Sequence, residues 1–383
     1  MASSAPTIDQ RAETASAVQD ATTSLMGCRT RRQHPRALSL SHGVPYPCLR
    51  HPIATERLHD RNCLRLPGDT MTMITTIQPL TEADLSSADR TLRLAFGTFL
   101  GMSDPTTCFG DADCITTRWR ANPSTALGAF RDDELVGSNF VTIWGSVGFF
   151  GPLTVRPDLW DQSIAQQLLA ATVVLLDEHG VQWAGLFTFA HSPKHVGLYQ
   201  RFGFWPQHLT AILTHPVIPP AVAPRWSALS QTADAKAAVA ACAEVTNKIY
   251  GGLDVGCELH AVVDQRLGET VLVHDGDQLE AFAVCHLGPG SEAGSGNCYV
   301  KVAAVRPGPA AANTFARLLD ACQDLAAQGG ATTLMVGINT ARHEAYTDLL
   351  KYGFRTQMHG VVMTRPNSPG YNKAGVYLID DWR

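Results

Sequence analysis

From Met71 onward the apolar positions change period in a regular order. Ile74–Gln78 reads as a strand. Thr81 then sits three positions before Asp84, the spacing of a capping box, and Ala88 to Leu100 continues at helical spacing. Gly101–Asp113 has the Gly, Pro and Asp content of a loop, and Ile115–Ala121 predicts a short helix. Thr125–Arg131 and Leu135–Trp144 predict a hairpin turning at Asp132-Asp133-Glu134, and Val147–Val155 predicts a third strand. Ser163–Glu178 carries a helical stripe at 164, 168, 172, 175 and 176, and Gly180 is its expected stop. Trp183–Phe189 is short and apolar, as a buried parallel strand is. Ser192-Pro193 predicts an N-cap followed by proline at the first helical position, Gly203 ends that helix, and Leu209–Thr214 predicts a last strand.

Residues 216–225 are proline-rich without amphipathic period and read as a linker. The order then restarts: a strand at Trp226–Ser230, helices at Ala233–Tyr250 and Glu258–Leu267, strands at Thr270–His274, Leu279–His286 and Cys298–Val305. The restart is also visible residue by residue. Val155-Arg156-Pro157, Leu168-Leu169 and Phe202-Gly203-Phe204 are answered 150 positions later by Val305-Arg306-Pro307, Leu318-Leu319 and Tyr352-Gly353-Phe354. A period this long points to duplication of a whole domain rather than a solenoid. The expected division is 71–215 and 226–383, with 1–70 a disordered tail or a mis-called start. Those first 70 residues hold nine arginines and no lysine, and lack the apolar core of a secretory signal.

Composition narrows the class. A hydrophobic content of 45% with 17% charged residues is that of an ordinary globular protein, and a net charge of −5 gives no reason to expect nucleic acid or an anionic membrane as partner. The apolar runs fall short of the ~20 residues of a membrane helix. The cysteines are scattered, without a C-x-x-C pair, and mostly at apolar positions, which predicts buried reduced thiols.

One repeat therefore reads as strand, two helices, three antiparallel strands, helix, strand, helix, strand. With V-x-P before the first long helix and Y-x-x-x-G-F closing the next, it resembles the GNAT (GCN5-related N-acetyltransferase) family of acyl-CoA-dependent N-acetyltransferases. The resemblance implies an α/β fold with a mixed sheet, two tandem acyl-CoA N-acyltransferase domains, and acetyl-CoA as co-substrate. It implies pyrophosphate binding at Q/R-x-x-G-x-G/A, where helix N-terminal N–H groups and small residues receive the phosphates. The matching stretch is Trp160-Asp161-Gln162-Ser163-Ile164-Ala165, with Ser163 for the first glycine, Ala165 at the second small position, and Trp160 departing from Gln/Arg. The cofactor-binding set implied is Leu153, Thr154, Val155, Gln162, Ser163, Ile164 and Ala165. The second repeat has Asn313 and Phe315 instead, and Leu349 where the first has Tyr199. In the family this tyrosine protonates the departing thiolate, so the first copy is expected to work and the second to be degenerate.

The implied reaction is direct attack of a primary amine on the acyl carbonyl, polarised by the Val155 N–H. The strand Phe149–Val155 holds no carboxylate to serve as base. His191, after the Trp183–Phe189 strand, is the expected base, with Asp104 and Asp111 as alternatives. His191 and His195 form H-x-x-x-H, but Pro193 between them and the lack of H-E-x-x-H argue against a metal. A small-molecule or peptide amine acceptor, a cytoplasmic setting, and a monomer or homodimer are expected. The alternative is an inactive acyl-CoA-binding or protein-interaction module.

Overall fold

The computed structural model describes residues 74–383; the expectation for residues 1–70 lies outside the described residues. The first half runs β1 (Thr76–Pro79), α1 (Leu85–Phe99), α2 (Ile115–Ala121), β2 (Ala126–Arg131), β3 (Glu134–Trp144), β4 (Val147–Phe150), β5 (Thr154–Val155), α3 (Ile164–Glu178), β6 (Trp183–Thr188), α4 (Pro193–Gln200) and β7 (Trp205–Pro216). The second runs β8 (Ser227–Ala228), α5 (Ala235–Ile249), α6 (Gly256–Asp264), β9 (Gly268–Asp275), β10 (Gln278–Gly288), β11 (Gly294–Val305), α7 (Ala311–Gln328), β12 (Thr333–Asn339), α8 (His343–Tyr352), β13 (Arg355–Arg365) and β14 (Leu378–Ile379). The fold is a mixed α/β one with a large mixed sheet.

Local chemistry places these boundaries. The Asp84 carboxylate accepts from the Thr81 N–H at 2.8 Å and the Thr81 hydroxyl at 2.7 Å. Asp132 and Asp133 both have positive φ, 49° and 63°, the pair that a type I′ hairpin turn requires. The Ser192 hydroxyl accepts from the His195 N–H as the N-cap of α4. The predicted strand Val147–Val155 is broken at 151–153 into β4 and β5, which matters for the site below.

The sheet order is β1-β2-β3-β4-β6-β13-β7-β12-β11-β10-β9-β8. The last strand of each half therefore lies beside the other half. β13 pairs antiparallel with β6, as in Met363↔Leu186, and β7 pairs antiparallel with β12, as in Leu213↔Val336. The 150-residue offset converts one pair into the other. β7 and β13 pair with each other, and the pair Thr210↔Gly360 maps onto itself, so a pseudo-twofold axis passes there. Gly360 is needed at this crossing: a Cβ would lie 2.2 Å from the Phe187 ring and 2.7 Å from the Thr188 carbonyl oxygen. Residues 216–225 carry the chain between the two sets of elements, but the sheet does not divide there, and Thr70–Arg383 clusters as one unit.

Apolar cores line both faces of the sheet. α3 and α4 cover one face of the first half through Leu169, Leu176, Tyr199 and Phe204, as α7 and α8 do in the second through Phe315, Leu318, Cys322 and Leu349. Opposite, Trp144, Phe149 and Trp183 of the first half share a core with Cys242, Val245, Leu259 and Val262 of α5 and α6. Between the halves, Glu292 pairs with Arg118 at 2.8 Å and Lys301 at 2.6 Å, and Lys301 also meets Glu258 at 3.2 Å. Burial alone would raise the Glu292 pKa; the charges of Arg118 and Lys301 outweigh it and hold the carboxyl well below its usual range. No helix among the described residues is long and apolar enough to cross a membrane.

The exchanged strands make an expectation for cleavage in the linker, where Ile218 and Val222 are exposed. A specific protease site introduced at Val222 should give two fragments that co-elute in gel filtration under native conditions and separate only in denaturant. Fragments that part without denaturant would contradict the pairing described.

Candidate active site

The parallel pairing of β4 with β6 covers Val147↔Trp183, Gly148↔Ala184 and Phe149↔Gly185 and ends there. After 151–153 the chain turns from β6, and β5 pairs with β3 through Gly137↔Val155 and Ser138↔Thr154. The two strands thus splay apart. Arg118 helps to hold the break by donating to the Gly151 carbonyl at 2.7 Å. Arg156 N–H donates to the Val136 carbonyl at 2.9 Å. In an antiparallel ladder bonded and non-bonded pairs alternate, so the Val155 N–H and C=O face away from β3, towards the splay. The Val155 carbonyl indeed turns out, accepting from the Trp160 indole at 2.8 Å. Thr154 is buried with its hydroxyl 3.1 Å from that of Ser138, and half-buried Leu153 packs into the α3 side of the sheet.

The start of α3 has the shape of an anion-binding loop. Asp161 and Ser163 have φ of 64° and 62°, a left-handed conformation that glycine adopts freely and serine only at a cost of about 1–2 kcal/mol. Ser163 stands at the N-cap, but its side chain makes no capping bond; the first helical acceptor used is its backbone carbonyl, which receives the Gln167 N–H at 3.2 Å. The N–H groups of Ile164, Ala165 and Gln166 precede that bond and have no partner within the helix. Gln162 turns sideways and accepts from Arg131. Asp161, a negative charge at the start of α3, pairs with Lys194, whose ammonium lies 2.6 Å away in an exposed pair.

Tyr199 is buried on α4, its ring 5.9 Å from Phe150. Burial pushes its phenol well above the ordinary range, and the neighbouring Thr188 hydroxyl works in the opposite direction. His191 is exposed in the turn after β6, 5.7 Å from the Phe189 ring. His195, not singled out as a base by the sequence, lies one helical turn before Tyr199 on the same face of α4. Burial, then the charges of Lys194 and His191, lower its pKa, and its buried Nδ1 has no hydrogen-bond partner. The i, i+4 spacing of His195 and Tyr199 was the available signal. The two alternative bases are engaged elsewhere. Asp104 accepts from the Thr106 N–H at 3.0 Å and its hydroxyl at 2.6 Å. Asp111 accepts from Ser295 of the second half, and that hydroxyl's hydrogen bond lowers its pKa.

The second half has the same splay with different contents. β11 and β12 pair from Asn297↔Thr333 to Val300↔Val336 and then part. Here the chain's own segment enters: β14 pairs with β11 through Ala303↔Ile379 and Ala304↔Leu378, and the Val305 N–H donates to the Tyr377 carbonyl at 3.0 Å. Val305 corresponds to Val155. Arg342, almost wholly buried, fastens the segment by donating to the Leu378 carbonyl, to the Asp380 carboxylate and to Asn372 Oδ1 at 3.0 Å. Gly337 leaves room for it, since a Cβ there would lie 2.2 Å from the Asp381 side chain; the first half has Phe187 at that position. The segment 375–383 ends against the first half, with Trp382 stacked on Phe149 at 5.7 Å and the Arg383 carbonyl accepting from Arg118.

The loop is also gone from the second half. α7 begins at Ala311, three residues earlier than the 150-residue offset from Ile164 would give, so Ala311, Ala312 and Asn313 lie inside the helix. Phe315, which replaces the small residue of the first repeat, is a core residue 5.2 Å from the Tyr377 ring.

Residues 93–204 match the model of the acetyltransferase (GNAT) family. This segment is a GNAT domain. No curated protein matches the sequence. Among solved structures, a proposed acetyltransferase from Pyrococcus horikoshii is similar at 15% identity and a TM-score of 0.56, covering 83% of this chain and 96% of that one. A GCN5-related N-acetyltransferase from Sphaerobacter thermophilus follows at 13% identity and 0.51, covering 76% and 95%. A tandem GNAT protein from the clavulanic acid biosynthesis pathway has 15% identity, a TM-score of 0.49, and coverage of 76% and 98%. The first two likenesses are likenesses of fold. They extend over both halves, beyond the GNAT segment that the family model matches.

Two substitutions check the contrast between the clefts. Gly337→Ala should destabilise by about 1–3 kcal/mol by colliding with Asp381, read as a lower midpoint in urea. Ser163→Gly should leave stability near wild type, whereas Ser163→Val, β-branched at positive φ, should lose on the order of 1 kcal/mol. A tolerant Gly337 would argue that segment 376–383 is not seated as described.

Proposed function

We propose that the first half is an N-acetyltransferase that moves an acetyl group from acetyl-CoA to a primary amine of a small molecule or peptide in the cytoplasm. The observation that carries the choice of half is the fate of one backbone N–H. Val305 donates to the chain's own Tyr377 carbonyl, whereas β5, which holds Val155, pairs among the described residues with β3 alone. A peptide carbonyl on Val305 stands where the resemblance would put an acyl carbonyl on Val155.

In this reading the N–H groups of Ile164 and Ala165 and the backbone at Ser163 receive the pyrophosphate, where the helix dipole favours negative charge. Leu153 and the backbone of Thr154 and Gln162 border that loop in this reading, while the Thr154 hydroxyl stays with Ser138 and the Gln162 amide oxygen with Arg131. The residues present fit this role: the backbone at 161 and 163 is already in the conformation, and Ala165 is small. The Val155 N–H polarises the thioester carbonyl and stabilises the oxyanion as the amine nitrogen bonds to the carbonyl carbon. When the C–S bond breaks, Tyr199 donates its proton to the sulfur; its raised pKa keeps it protonated until then. The acceptor, an ammonium at neutral pH, gives a proton to a histidine before attack, so that the neutral amine nitrogen is the nucleophile. His191 is the base read from the sequence. His195 is favoured by its place one helical turn from Tyr199 and by its lowered pKa, which favours the neutral imidazole, the form able to accept a proton.

The expected results are definite. Ala165→Phe, which copies the second half, should abolish acetyl-CoA binding in calorimetry. Tyr199→Phe should leave that binding largely intact and lower kcat by roughly 10²-fold. Binding without thiol release on any amine would instead support an acyl-CoA-binding module, and loss of binding through mutations at Asn313–Phe315 would reverse the choice of half.

The sign of the pH dependence separates the histidines. A base must be deprotonated, so activity rises with pH through its pKa. With His195 as base, the midpoint of the acidic limb of kcat/KM should lie below the ordinary histidine value of ~6.5, and His195→Gln should remove that limb. If the limb survives that change and disappears in His191→Gln, His191 is the base.

A further inference from the structure

Four phenylalanines meet at the open end of the splay. Phe99 of α1 lies 4.9 Å from Phe189, which follows β6, and 4.9 Å from the His195 ring. Phe96 lies 6.3 Å from Phe189 and 5.2 Å edge-on from Phe109, in the loop between α1 and α2. Phe96, Phe99 and Phe189 are half-buried, and Phe109 is 45% exposed. The patch touches the site at two points: His195 is one turn from Tyr199, and Phe189 adjoins Thr188, the neighbour of the Tyr199 hydroxyl.

Phe109 is held there against its own backbone preference. Its φ is +68°, a conformation in which a bulky residue is strained by on the order of 1–3 kcal/mol. Arg93 clamps the loop on both sides of it, donating to the carbonyls of Cys108 at 2.6 Å, Gly110 at 2.7 Å and Ala112 at 3.1 Å. With 45% of its surface exposed and an edge-on contact to Phe96, the ring gains only part of what a buried phenylalanine gains, set against the strain of its backbone. The charges of the loop point another way. Asp104, Asp111 and Asp113 accept from Thr106, from Ser295 and from the Thr116 N–H at 2.8 Å. Each carboxylate is thus tied to a partner in the chain, with Asp104 and Asp111 at the surface, and the side chain that the loop turns to the other phenylalanines is aromatic.

We infer that Phe96, Phe99, Phe109 and Phe189 form the acceptor seat, and that the acceptor is a primary amine carried by a short alkyl chain on a flat aromatic group. Ring stacking on such a platform contributes about 0.5–1.5 kcal/mol per aromatic pair beyond area burial. The inference rests on the acetyltransferase reading of the adjoining cleft and names its substrate class.

The test uses the full chain with acetyl-CoA and measures thiol release with 2-phenylethylamine, tryptamine, n-hexylamine and spermidine. The aryl amines should exceed hexylamine and spermidine in kcat/KM by roughly tenfold or more, a ratio within reach of a few apolar contacts. Phe109→Gly should keep the melting temperature equal or higher, because it relieves the strained backbone. It should leave acetyl-CoA affinity unchanged and raise KM for tryptamine several-fold. Equal or better use of spermidine or hexylamine, or an unaltered KM in Phe109→Gly, overturns the inference. If no amine is acetylated, ligand-observed saturation-transfer NMR of tryptamine with the acetyl-CoA complex decides separately. Saturation of the indole protons that is lost in Phe109→Gly keeps the seat while the transferase reading fails; no saturation in the wild type overturns the seat as well.

Discussion

The antiparallel pairing of β13 between β6 and β7 is the constraint on which the rest depends. Without it β6 and β7 would each expose an edge of unpaired N–H and C=O groups along apolar strands, an arrangement that invites association with other chains. With it, the two halves share one sheet, and Phe187 of the first half closes over Gly360 of the second. The positions of β4 and β5 follow, since the splay in each half opens against a neighbour fixed by the other half's last strand.

On this near-symmetric frame the two clefts are filled differently. In the first, β5 leaves β6 and the start of α3 is held in a left-handed turn with free N–H groups. In the second, α7 extends back over the corresponding residues, Gly337 and Arg342 accept a segment of the chain, and the Val305 N–H is satisfied by Tyr377. A buried N–H must find a partner. The second half finds it internally and becomes part of the core, so its aromatic and apolar positions, Phe315 and Leu349 among them, serve packing.

Much of this was legible in the residues. Period, caps and turns placed the elements because those signals are local: Thr81 with Asp84, Asp132-Asp133, Gly180 and Ser192-Pro193 each act within a few residues. The family resemblance was legible because the motif residues sit at fixed spacing. Strand exchange was not, since Leu209–Thr214 has the same alternation whichever partner it pairs with, and register is decided by contacts far along the chain. The docking of 376–383 was hidden for the same reason, although Gly337 opposite Phe187 and Arg342 opposite Ser192 were visible mismatches. The left-handed φ of Phe109 had no sequence signal, because glycine, the usual marker of such a conformation, lies one residue later.

The exchanged strands carry one more meaning. Two separate copies of a single half, each lending its last strand to the other, would build this same sheet as a twofold dimer. Here the proline-rich stretch at 216–225 fuses the pair, so the local concentration of one half about the other is set by tether length and is indifferent to dilution. Identical subunits must keep identical sites, because every mutation appears twice. Fusion lifts that restriction: one copy can be given over wholly to scaffolding while the other keeps a cleft, and the symmetry that built the molecule no longer binds its chemistry.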